Sequence, residues 1–126
     1  MNRPLSPAEL DQLTTVAIPV MTRREKLLRF ASIIRNARRN FMIFHNLEYM
    51  TPAQLAYCSH KDSAFAAAAA DNILHDAGLT SGTAAEAQRF FELSKDDLHS
   101  FSCDCGGSIT NEIMADRIEA IANRAA

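Results

Sequence analysis

The sequence predicts an all-α fold: a compact single-domain bundle over residues 1–126, with five to seven mostly short helices, short capped connections and a flexible N-terminus at residues 1–5. Two observations carry this. Helix start signals recur along the chain, each followed by apolar residues at helical spacing. Gly and Pro are scarce, four of each, which disfavours both disorder and a turn-rich β-sandwich. A chain of this length buries roughly two-thirds of the surface it exposes when unfolded, so it needs no disulfide or metal to hold a core.

Ser6-Pro7-Ala8-Glu9 reads as the first helix start, a capping box with proline at the first helical position. Val16-Ala-Ile-Pro19-Val20 follows as an apolar linker, where Pro19 stops the first helix from entering the second. Thr22-Arg-Arg-Glu25 opens a helix predicted to reach Arg39. Leu27, Phe30, Ala31, Ile34 and Ala37 recur at spacings of three and four and so share its inner face. Phe41-Met-Ile-Phe44 is too short for a helix and has no second strand-like run to pair with, so it reads as a buried connector.

Thr51-Pro52-Ala53-Gln54 repeats the proline-containing cap. From Ser63 an alanine-rich helix is predicted to run to Gly78, a natural left-handed stop. Its five consecutive alanines leave backbone bare on every side, which places it centrally and lets neighbours approach closely. Thr83-Ala-Ala-Glu86 starts a short helix carrying Ala87, Phe90 and Phe91. Ser94-Lys-Asp-Asp97 starts another, expected to end at Gly106-Gly107. Ser108-Ile-Thr-Asn-Glu112 precedes the last helix, with Ile113, Met114, Arg117, Ile118 and Ile121 as its predicted stripe.

Charge is unevenly spread. Residues 23–39 hold seven basic residues and one acid, whereas residues 40–126 hold five basic and twelve acidic ones. A basic helix on an acidic body can bind a polyanion or its own acidic neighbours, and the acidic remainder favours internal pairing. Nucleic acid is disfavoured further by the absence of aromatic residues among the arginines. The N-terminus has no apolar signal segment, and the alanine run is too short to span a membrane, so no membrane role is expected. Three cysteines form no disulfide framework, and a reduced cytoplasmic setting is the simplest expectation.

The densest gathering of reactive groups is His99-Ser-Phe-Ser-Cys103-Asp-Cys105-Gly106-Gly107. On one helix, His99 and Cys103 would share a face one turn apart. Cys58, Cys103 and Cys105, with His60 or His99, could form a tetrahedral zinc site, with iron as the other candidate metal, although a Cys-x-Cys spacing is strained for that purpose. As a nucleophile, either thiol would sit at a helix C-terminal end near Asp96, Asp97 and Asp104, a field that raises a thiol pKa. His45 lies three residues before Glu48, a spacing at which a carboxylate can orient an imidazole base or a histidine can simply cap a turn. His75 complements a helix end. Haem on His45 or His99, among Phe41, Phe44, Phe90 and Phe91, rests on residue types alone. No phosphate loop, dinucleotide fingerprint, hydrolase elbow or zinc-protease motif is present.

The leading expectation is therefore a non-enzymatic helical binding or regulatory module with a protein partner, which also has the means to form a homodimer. Its candidate surfaces are Arg24, Arg35 and Arg39 on one side and the Gly106-Gly107 turn on the other. The competing expectation is a metal or thiol-redox protein using Cys103, Cys105 and His99, with Cys58 and His60.

Overall fold

A computed structural model describes residues 20–102 and 109–124. The helix start at Ser6-Pro7-Ala8-Glu9, together with Cys103, Cys105, Gly106, Gly107 and Ser108, lies outside the described residues.

Among the described residues the chain is all-α. The helices are α1 (Arg23–Asn36), α2 (Pro52–Tyr57), α3 (Ala64–Ala70), α4 (Asn72–Asp76), α5 (Ala84–Phe91), α6 (Lys95–His99) and α7 (Asn111–Asn123). A 3-10 turn, Leu47–Tyr49, precedes α2. Most of the start signals work as read. Thr22 with Glu25, Thr51 with Gln54 and Ser94 with Asp97 each form a reciprocal capping box. Ser63 and Thr83 cap α3 and α5 through their side chains alone. The last helix is capped by Thr110, whose side chain accepts from the Ile113 amide.

α1 buries Leu27, Phe30, Ala31 and Ile34, the stripe that its periodicity predicts. It packs chiefly against α7, which presents Met114, Ala115, Ile118, Ile121 and Ala122. The α7 stripe is thus turned by about one position from the predicted one. Ile113 is substantially exposed, and half-buried Arg117 donates to the Ser100 carbonyl at 3.3 Å. α1 also ends earlier than its charge pattern suggests. Ala37 turns extended at ψ 142°, so Arg39 lies past the helix rather than on a face shared with Arg24 and Arg35.

The alanine helix is two helices. Asp71 takes an extended conformation (ψ 127°), closing α3 and capping α4 through the Leu74 amide. Its carboxylate also receives Arg29 of α1, with contacts at 2.7 and 3.2 Å. That cross-helix pair supplies a reason to break a segment whose propensity alone would continue. Gly78, at φ 122°, ends α4 as expected.

Bare alanine does permit close approach. A Cβ added at Gly82 would lie 2.8 Å from the Ala66 Cα and 3.0 Å from the Ala66 nitrogen. The loop before α5 therefore presses on α3 backbone that cannot yield. Gly82→Ala is expected to lose about 1–3 kcal/mol of stability, the usual range for overpacking. A urea denaturation curve with an unchanged midpoint would contradict that contact.

Phenylalanines join the helices at the centre. Phe30 stacks on Phe91 (ring centroids 4.8 Å) and on Phe101 (5.7 Å). Phe65 lies 5.1 Å from Phe101 and 6.1 Å from Phe44. The Phe41–Phe44 connector forms no strand. It makes two isolated parallel bridges, Met42 with Ser63 and Phe44 with Ser102.

The basic helix spends its charge internally. Arg35 reaches Glu112, Asp116 and Glu119 along α7. Arg24 donates to the Asn123 side chain at 3.0 Å, Arg39 to Asp62 at 2.9 Å, and Lys26 lies 4.3 Å over the Phe90 ring. Arg23 binds the Phe91 and Glu92 carbonyls and lies 3.5 Å from Asp97, which also receives Arg124. Buried Asp97 is therefore the hub that ties the start of α1, the cap of α6 and the end of α7 together. Among the described residues no helix is long and apolar enough to cross a membrane.

Candidate functional site

The most distinctive polar cluster is centred on the 3-10 turn. Asn46 opens the turn in the left-handed region at φ 59°, a conformation asparagine tolerates better than most residues. Leu47 then points into the core, and its amide donates to Ser102 Oγ at 3.1 Å. The Ser102 hydroxyl donates to Glu48 Oε2 at 3.2 Å, and His99 Nδ1 lies 3.3 Å from Glu48 Oε1. Burial pushes the Glu48 pKa up. Its own backbone amide, His99 and Ser102 together push it down further, so the carboxylate is held below its ordinary range.

Serine, histidine and a carboxylate are the residue types of an acyl-transfer triad, but the order of contacts here is different. A nucleophilic serine needs imidazole as its base, with the acid behind the imidazole. Here the carboxylate stands in the middle and takes both the hydroxyl and the imidazole. Ser102 is also 1% exposed, with its oxygen engaged by Leu47 and Glu48. This arrangement clamps the 3-10 turn to the segment after α6. The sequence pairs Glu48 with His45; in the structure Glu48 receives His99, which lies 51 positions after it rather than on the same turn.

The helix carrying His99 ends at His99 itself, with Ser100 as its cap, well before Gly106-Gly107. Phe101 and Ser102 are drawn into the core, which takes the chain off the helical path. The one-face relation of His99 with Cys103 required a helix continuing through both. Cys58 closes α2 and is half-buried, and burial raises its thiol pKa, which works against a thiolate nucleophile. His60 Nδ1 accepts from the Asp62 amide at 3.1 Å. Among the described residues no group of three or more His, Cys, Asp or Glu side chains is placed to hold a metal ion.

Directly after the clamp comes an apolar groove of about 450 Å³, lined by Met50, Ala53, Gln54, Tyr57 and Cys58. Two packing facts create it. α2 buries only Leu55, leaving Pro52, Ala53, Gln54, Ala56 and Tyr57 exposed. Met50 is held against the core by the turn that Ser102 and Glu48 fasten. On its other side α2 packs on α5, and the Cys58 carbonyl accepts from the Ala84 amide at 2.9 Å. Tyr57 is 89% exposed and Tyr49 78%, and these are the chain's two tyrosines.

Sequence reading missed this groove. One signal was present: residues 49–59 contain no charged side chain, in a chain that is 22% charged, and they hold both tyrosines. The Ser102–Glu48 contact had no such signal, because the two residues are brought together only by the tertiary fold. Comparison with protein families, curated proteins and solved structures finds no match to this chain.

Proposed function

We propose that this chain is a small cytosolic, non-enzymatic helical module that binds a protein partner through the apolar face of residues 49–58. The observation that carries this is the exposure of Tyr49 and Tyr57 beside a groove lined by Met50, Ala53 and Cys58. Tyrosine and methionine are enriched where proteins meet, because each covers much apolar area and adapts to its partner. The arginine surface supports the reading less well. Arg24, Arg35 and Arg39 each hold a partner within the chain, which a ligand would have to displace.

Panning a random-peptide phage library tests this reading. Selected peptides are expected to be rich in apolar residues. Their binding should fall at least tenfold with Ala53→Arg or Tyr57→Ala and hold with Arg24→Ala, all at exposed positions. Failure to enrich any peptide, or loss of binding with Arg24→Ala alone, would overturn it.

A metal or thiol-redox role for His99, Cys103 and Cys105, with Cys58 and His60, rests on residue types in the sequence. Stoichiometric zinc or iron in protein purified without a tag, or a thiol reacting well faster than free cysteine at neutral pH, would establish that role in place of the binding module.

A further inference from the structure

We propose that the occupant of the groove on α2 is a second copy of this chain, paired with the first about a two-fold axis. The inference rests on the binding-surface reading above and names its partner. In a two-fold interface each patch faces its own image, so any net charge on it opposes itself. Surfaces that select a different protein commonly carry charge that steers that partner and rejects others. Residues 49–59 carry no charged side chain, whereas α1 and α7 are laced together by ion pairs.

The shapes agree with self-pairing. Ala53 and Ala56 are exposed and small, so two α2 helices can approach closely with no long side chain to move. Exposed Tyr57 stands at the rim of a groove of about 450 Å³, which is ample for an aromatic ring. In the pair, Tyr57 of each copy fills the groove of the other. The contact is small, one six-residue helix and a preceding turn on each side. It falls at the low end of specific interfaces, so the pair is expected to have a dissociation constant in the micromolar range or weaker and to come apart on dilution below it.

Sedimentation equilibrium of the full chain, from micromolar to millimolar, tests the pairing. Wild type is expected to rise towards twice the chain mass as concentration increases. Ala53→Arg is expected to stay at the single-chain mass, with its thermal melt by circular dichroism unchanged because residue 53 is exposed. A wild-type chain that stays single throughout, or an Ala53→Arg chain that associates as wild type does, overturns the proposal. Two further readings separate this failure from that of the binding surface. A single chain whose library-selected peptides are lost with Ala53→Arg overturns the second copy and leaves the surface standing, with a foreign protein as its occupant. A single chain that enriches no peptide and shields Tyr57 from nitration by tetranitromethane overturns both, because the chain then covers its own groove.

Discussion

Phe30→Ala is expected to lose about 3–5 kcal/mol of folding stability, the range for deleting a fully buried aromatic ring. For a domain whose whole stability is on the order of 5–15 kcal/mol, that is a large share. Phe30 is 0% exposed, stacks on Phe91 and Phe101, and lies 6.3 Å from Phe65, so its loss opens a space at the meeting point of α1, α3, α5 and the segment after α6. Those rings come from different parts of the chain, and no one of them can collapse into the gap without dragging its own backbone segment. Phe44→Ala is the comparison, since Phe44 is only half-buried and meets the ring cluster through Phe65. It is expected to lose clearly less. Chemical denaturation of both variants checks this. A loss for Phe30→Ala below that for Phe44→Ala would displace Phe30 from the centre of the core.

Asp97→Ala is expected to cost about 2–3 kcal/mol, combining a helix cap with a buried charge that holds two arginines. The side chain of Asp97 is 5% exposed, whereas those of Arg23 and Arg124 are 29% and 59% exposed. The freed arginines can therefore turn to water, which keeps the loss below that of a fully buried pair. Asp97→Asn retains an acceptor for the Ser94 amide and removes the charge, so the difference between the two variants separates capping from ion pairing.

The same residue sets a pH dependence. Burial raises the Asp97 pKa, but its hydrogen bonds with Ser94 and its pairing with Arg124 lower it by more, leaving it below the ordinary value. Asp71, Glu48 and Glu86 are lowered as well. A carboxylate depressed in the folded state binds its proton more readily when unfolded. Its stabilisation is thus complete above the unfolded pKa of about 4 and is lost as pH falls through the lower folded value. Wild-type stability is expected to be level from neutral pH down to about 5 and to drop steeply below about 4. Asp97→Asn should flatten part of that drop. An identical acid limb in the variant would remove Asp97 from the set of groups responsible.

Much of the fold was legible because its signals are local. A capping box needs only four residues, and Thr22, Thr51 and Ser94 carry theirs intact. The α1 stripe needs only its own periodicity, and the scarcity of glycine and proline leaves helix as the default. The internal pairing of the basic helix was legible in outline from charge asymmetry alone, but not in its partners. Arg35 could not be assigned to Glu112, Asp116 and Glu119 until α7 was laid along α1.

Tertiary structure decided where local preference yields. The alanine segment would continue as one helix by propensity, yet Asp71 breaks it while holding Arg29 from a helix distant in sequence. The α6 helix stops at His99 because Phe101 and Ser102 are needed in the core, a demand that nothing within that segment announces. The groove has the same origin. The 49–59 stretch carries its lack of charge and its two tyrosines openly in the sequence, but whether that stretch is core or surface depends on what covers it. Among the described residues, α2 packs against α5 and buries only Leu55, and the Ser102–Glu48 clamp fastens the turn that leads into Met50. By itself the sequence determined helix identity, helix caps and the balance of charge, all set by neighbours within a few residues. Only the packed chain decided which carboxylate meets which base and which apolar face is left to water, because those contacts join residues tens of positions apart.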